Sequence, residues 1–298
     1  EIWDECFTIE YADVGKIGFT IDIVPATDES EEKKQSILAK SSYPNLINTA
    51  VAIPKHNGNH NYTWITNNPR GFRQWFDEIN KPFLEAGRNN YRNELFKRHS
   101  RFYASVEEIP HALDRSALQR VIQLLKYHRN VYYDKLPGGD DIKPISAIIN
   151  VLVTEISKAY NPECSVFELL EYVLKELEIY AQHLTKNQKE FVALYGARNV
   201  ISHNNGVWYI ANPANPEDNL ANKWNENPRI PKTFFMWIKV VTSDLIDSLQ
   251  QDDKHFRTTL DNGFGSKAVT AALGEKYMTT EAPRLIIKES APKPYCKI

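Results

Sequence analysis

The hydrophobic pattern of this chain changes its period part-way along, and that change restricts the fold more than any other feature. Phe7-Thr8-Ile9-Glu10-Tyr11 alternates apolar and polar residues, and Gly18 to Val24 does so again before Pro25 closes the run. Period two marks a strand with one apolar and one wet face. Ala12 to Lys16 between them, carrying Asp13 and Gly15, reads as a hairpin turn. In the second strand Phe19, Ile21 and Ile23 share one face while Thr20 and Asp22 share the other. Asp28 to Lys40 reads as a charged, exposed stretch, Thr49 to Pro54 as another short strand, and Lys55 to Asn61 as a polar loop. Asn68-Pro69-Arg70-Gly71 is a turn into an amphipathic helix around Phe72, Trp75, Phe76 and Ile79.

From Ser116 onward the period is that of a helix. Leu118, Val121, Ile122 and Leu125 form one stripe, with Gln119, Gln123, Lys126 and Asn130 opposite. Pro144 opens a second helix carrying Ile148, Leu152 and Ile156. Ser165 and Glu168 make a capping box before Leu170, Leu174, Leu177, Ala181 and Leu184. Phe234, Ile238, Val241, Leu245 and Leu249 mark a further helix. Strands first and helices after predict an α+β chain. The pattern shifts near Pro110, which predicts two parts, 1–112 and 113–298.

Composition removes several functions. With 36 basic and 38 acidic side chains the net charge is −2, which is not the footprint of a dedicated nucleic-acid binder. No apolar run approaches the ~18 residues of a membrane span. Cys6, Cys164 and Cys296 include no C-x-x-C pair, so a reducing cytoplasm is the expected setting. The chain opens on Glu1 and its first methionine is Met236, so further sequence is expected upstream.

Several side chains carry chemistry, each with a plainer reading beside it. Asp22 is a candidate metal ligand, since phosphoryl-transfer sites hold Mg²⁺ on strand carboxylates, or a hydrogen-bonded structural residue. Lys126 and Ser146 are a candidate phosphate grip, or a solvated lysine and a first-turn serine. Arg198 to His203 matches the R-x4-H spacing of HEPN-type ribonucleases, but Gly196 and Asn204-Asn205-Gly206 leave little helix to carry it. Gly263-Phe-Gly265 reads as a turn before a helix rather than a dinucleotide loop. His56 and His60 have no further zinc ligands nearby in sequence. Tyr91 to Phe102 mixes arginines and aromatics, as a nucleotide-contacting or an ordinary surface helix would.

Taken in order, these segments resemble a known family. Cys6 to Asp13 followed by Gly18-Phe-Thr-Ile-Asp22-Ile-Val-Pro25-Ala26 is similar to the strand pair bearing the third catalytic aspartate of the cGAS/DncV-like nucleotidyltransferases, the bacterial cyclic-oligonucleotide synthases of antiphage signalling. Ile53-Pro54, Trp64-Ile65, Asn68 to Gly71, Leu118 to Arg129, Pro144-Ile-Ser146, Asn212-Pro213 and Pro216 to Trp224 continue the likeness. It implies a polymerase-beta-like nucleotidyltransferase core with a mixed sheet, here partial, and a mainly helical C-terminal lobe that binds nucleotide. By that resemblance Asp22 would be a catalytic ligand of Mg²⁺ or Mn²⁺, Lys126 and Ser146 would hold the donor triphosphate, and Asn67 or Asn68 would contribute to base recognition. The implied substrates are ATP or other NTPs, and the product a cyclic di- or trinucleotide that acts on a downstream effector. The C-terminal tail, Glu289 to Ile298, would be open to conjugation, as in some relatives. The family's Gly-Ser loop and paired D-x-D aspartates do not occur before Asp22. They are expected in upstream sequence on the order of 100 residues long. The alternatives are a non-catalytic nucleotide-binding relative or scaffold and, third, the R-x4-H ribonuclease.

Overall fold

The computed structural model describes residues 6–14, 17–58, 61–99 and 115–274. The chain divides into two compact units, Glu1–Thr242 and Ser243–Ile298. The predicted change at 112/113 lies outside the described residues, as do residues 100–102 and the side chains of the Tyr91–Phe102 segment, His60 and the tail from 289.

The first unit opens with β1 (Phe7–Val14) and β2 (Ile17–Ile23), an antiparallel hairpin in which Thr8 faces Asp22 and Ile9 faces Ile21. Its predicted faces are those observed. Phe7, Ile9, Tyr11, Phe19, Ile21 and Ile23 all lie on one side and all remain exposed, Phe19 by 58%. A two-stranded ribbon is marginal by itself, and an apolar face of this kind is ordinarily covered. A second sheet joins β3 (Thr27–Asp28), β4 (Val51–His56) and β5 (Tyr62–Asn67) in that order, again antiparallel. The strand at Thr49–Pro54 therefore exists but runs on through Lys55 and His56, so the predicted polar loop shrinks to a turn at Gly58. The charged stretch contains a helix, α1 (Glu31–Leu38), begun by Ser30, whose hydroxyl accepts from the Lys33 amide. It is not free in solvent. Lys33, Ser36 and Lys40 all donate to Glu217, at 2.6, 2.9 and 2.6 Å. These contacts hold the Glu217 carboxyl well down, at about 2.

Asn68 explains the turn before α2 (Pro69–His99). Its Oδ1 accepts from the Thr49 hydroxyl and the Gly71 amide, and its Nδ2 donates to the carbonyls of Leu46 and Ala214. A Cβ on Gly71 would sit 2.5 Å from the Asn68 amide nitrogen, so the two residues require each other.

The helical part is built on α3 (Ala117–Asp134), α4 (Gly139–Ile142), α5 (Ser146–Ser157) and α6 (Val166–Tyr180). Both α3 and α6 start with a complete capping box, Ser116/Gln119 and Ser165/Glu168, which satisfies two orphan amides at each start. The stripes predicted from sequence are the ones buried: Leu118, Val121, Ile122 and Leu125 on α3, and Leu170, Leu174 and Leu177 on α6. Helix α5 buries residues on every side, including Ile148, Ile149, Val151, Leu152, Val153 and Ile156. After α7 (Gln188–Tyr195) two small hairpins follow, β6 (Ser202–Asn204) with β7 (Val207–Tyr209) and β8 (Ala211–Asn212) with β9 (Asn215–Asn219). Helix α8 (Asn222–Glu226) leads into α9 (Arg229–Leu245). The stripe predicted to reach Leu249 stops at Leu245, because Asp247–Gln250 tightens into a 3-10 turn and leaves Leu249 exposed. Trp208, Trp224, Phe234, Phe235 and Trp237 form an aromatic cluster. The α+β expectation is met: small antiparallel sheets combine with helices, and the C-terminal region is mainly helical.

The second unit contains α10 (Asp253–Phe264) and α11 (Ser266–Leu273), separated at Gly265 with φ +83°. This is the turn read from Gly263-Phe-Gly265. Buried Arg257 staples it by donating to the Thr270 hydroxyl and the Gly274 carbonyl, at 2.7 and 3.0 Å.

Two expected outcomes follow from packing. A Cβ on Gly139 would lie 1.9 Å from the Tyr133 carbonyl oxygen. Gly139→Ala should therefore cost more than about 3 kcal/mol in denaturant unfolding, whereas Gly87→Ala, with open space around it, should not destabilise. His183 is buried, and its ring stacks on Phe191 at 3.7 Å. Burial first, and the neighbouring His203 second, lower its pKa to about 4, with the Ile201 backbone tempering the shift. The unfolded chain takes up this proton near the ordinary 6.5, so it binds more protons between those values. Stability should thus be full above pH 6.5 and fall as pH drops toward 4, by at most about 3 kcal/mol. His183→Gln should flatten that dependence in urea titrations followed by tryptophan fluorescence.

Candidate functional site

The residues that the structure brings together lie where α3 meets the start of α5. The chain leaves α3 through Lys135, takes a left-handed turn at Gly138 (φ +63°), and passes α4 and Pro144 before entering α5 at Ser146. Arg129 closes this loop. It is buried, its Nη1 donates to the Pro144 carbonyl at 2.9 Å and to Ser146 Oγ at 3.2 Å, and its Nε and Nη2 donate to Asn130 Oδ1. Ser146 Oγ thus accepts from a cation, which leaves its own O–H to donate outward. No side chain caps α5, since Ile145 holds the cap position, so the first-turn amides of that helix are uncapped by side chains.

Lys126 is half-buried one turn before Arg129 on α3. Partial burial, and then the Arg129 charge, hold its ammonium below the ordinary lysine range. A cation held like this gains from an anion more than a free lysine does, because the anion removes the penalty that lowers its pKa. Arg129 thus holds the Ser146 hydroxyl directly and acts on Lys126 only through its charge, and no described hydrogen bond joins Lys126 to Ser146. Arg129 went unread in the sequence although a signal exists. It falls four residues after Leu125, on the apolar stripe, where a charge needs built-in partners.

Asp22 stands on the polar face of the β1–β2 hairpin, exposed, with Oδ1 accepting from the Thr8 hydroxyl at 2.6 Å. Glu10 shares that face, opposite Thr20. These oxygens suit a hard cation, yet among the described residues no three carboxylate, His or Cys side chains group together as a metal site would require. By themselves the described residues do not complete a two-metal centre. No described hydrogen bond or ion pair links Asp22 with Lys126 or Ser146. Asn67 ends β5, exposed, and its Oδ1 accepts from the Asn68 amide at 2.7 Å. Asn68 is buried and its carboxamide is committed to four protein contacts, so its observed work is to hold the turn into α2.

The R-x4-H residues are engaged elsewhere. Arg198 lies in the connection after α7, where it pairs with Glu176 and donates to the Tyr195 carbonyl. His203 is in β6, stacked on Trp208 at 4.1 Å with Nδ1 3.1 Å from the His183 carbonyl. No one helix presents both residues.

No family model matches the chain. Over 178 residues it is 27% identical to a protein of Roseivirga ehrenbergii named c-di-GMP synthase. The match covers 60% of this chain and 38% of that protein, so the chain spans about two fifths of its relative's length. The chain is similar, at that distance, to a cyclic-dinucleotide synthase. No helix among the described residues is long and apolar enough to cross a membrane.

An anion at this site should depend on Lys126 protonation. Binding favours the charged ammonium, so affinity for a phosphate-bearing probe should fall as pH rises through the lowered Lys126 pKa. Calorimetric titrations from pH 7 to 10 should show this decline, and Lys126→Arg, whose charge persists, should remove it. A flat profile in the unaltered chain would remove Lys126 from the site.

Proposed function

We propose that the chain is part of a nucleotidyltransferase that joins NTPs into a cyclic dinucleotide, with a cyclic trinucleotide as the wider product class. The observation carrying this reading is the Ser146 hydroxyl held by Arg129 at the start of α5, with half-buried Lys126 one turn from Arg129 on α3, in a chain similar to a c-di-GMP synthase. In this reading Lys126, the Ser146 hydroxyl and the α5 amides take the donor triphosphate and neutralise charge that grows on it as pyrophosphate leaves. Arg129 keeps the hydroxyl aimed. Asp22 supplies one carboxylate for Mg²⁺ or Mn²⁺, the ion contributing charge neutralisation when bound. Further carboxylates would have to come from outside the described residues. Asn67, exposed at its strand end, remains a candidate for contact with a base. A diffusible product of this kind would act through a separate effector, and we place it in antiphage signalling in the cytoplasm, with the C-terminal tail open to conjugation.

The test uses the natural full-length protein with labelled NTPs and Mg²⁺ or Mn²⁺. A nuclease-resistant cyclic product is expected, reduced about 100-fold or more by Lys126→Met and lost with Asp22→Asn. Absence of any oligonucleotide with every NTP mixture would sink the reading. The scarcity of carboxylates around Asp22 among the described residues favours a second one, a nucleotide-binding relative without turnover. It predicts NTP binding that survives Asp22→Ala with no product.

A further inference from the structure

Helix α5 carries a second polar constellation at its other end. Ser146 and Lys158 are twelve residues apart, which at 1.5 Å per residue separates them by ~18 Å. There a cavity of about 350 Å³ opens, lined among others by Lys40, Ser42, Tyr43, Lys158, Asn199 and Tyr209. That volume is at the lower end of the range for small-molecule sites.

Its floor is built, with every donor placed. Glu155 Oε1 accepts from the Tyr43 hydroxyl at 2.7 Å and from the Trp75 indole at 2.9 Å, while Lys158 Nζ donates to Glu155 Oε2 at 3.0 Å and to the Tyr43 oxygen at 2.6 Å. Glu155 is the acidic group of the lining, and it accepts three bonds from the floor, two at Oε1 and one at Oε2. Burial keeps the Tyr43 phenol protonated, and its bonds with Tyr43 and Glu155 keep Lys158 charged. The Tyr209 hydroxyl is likewise engaged, donating to the Pro216 carbonyl. What remains for a ligand is cationic and donating. Lys158 has one of its three N–H groups uncommitted. Lys40 has two, the third being given to Glu217. The side chains of Ser42 and Asn199 have no partner among the described residues.

We propose that this cavity binds a phosphate monoester on a small polar body, with the phosphate between Lys40 and Lys158 and the body against Asn199 and Tyr209. Two lysines and a hydroxyl meet a phosphate's acceptors, the Asn199 carboxamide meets polar groups of the body, and the open cavity has room for a sugar- to nucleotide-sized body. This site is independent of the nucleotidyl-transfer reading. Either can fail alone.

The experiment titrates ribose 5-phosphate and adenosine 5′-monophosphate calorimetrically into the whole chain carrying Lys126→Met, which silences the first site. Binding is expected, weakened at least roughly tenfold by Lys158→Met and by Asn199→Asp. Asn199 is exposed and unpartnered, so its substitution leaves the fold intact and keeps the test valid if Lys158→Met destabilises the network. Tighter binding of the nucleotide would identify a nucleotide ligand and equal binding a sugar phosphate, and both uphold the site. No binding at millimolar concentration, or binding unchanged by Asn199→Asp, would overturn it.

Discussion

The burial of α5 is the constraint on which the rest of the first unit depends. A helix apolar on every side surrenders its flanks to the core, leaving only its two ends able to meet polar groups. Each end is met by hydrogen-bond donors from distant segments. At the start Arg129 reaches across from α3. At the finish Tyr43 and Trp75 converge on Glu155. The hydrophobic effect therefore decides where chemistry can be located, since it leaves polar constellations nowhere else to collect around this helix.

The two ends are built differently, which suits different work. The Arg129 end presents a half-buried lysine whose charge is disfavoured by its surroundings, so an arriving anion relieves an existing penalty. The Lys158 end is already neutralised in its floor and offers only leftover donors. The first is poised to respond strongly to a highly charged ligand, the second to hold a modest one.

What could be read from sequence was local. The β1–β2 hairpin, the α3 and α6 capping boxes and their apolar stripes depend on residues within a few positions of each other, so periodicity revealed them. Lys126 and Ser146 could be singled out, whereas Arg129 showed only as a charge on an apolar stripe, its partners being set by the fold-back through Gly139. The α1 clasp on Glu217 was invisible because its partners are separated by 177 to 184 residues and each alone looks like a solvated charge. The strands β6 to β9 are too short, and too rich in Asn and Pro, to show any period. The role of Asn68 was legible only as a turn signal, since its bond to Ala214 spans 146 residues.

That last separation has a consequence for how the protein comes into being. As the chain emerges from the ribosome, Asn68, Lys33 and Lys40 are made long before Ala214 and Glu217. Until those later residues arrive, α1 and the turn into α2 lack the contacts that fasten them, and the loops that must close are long. Those earlier segments thus await the β8–β9 hairpin, which fastens α1 and the turn into α2 late in synthesis.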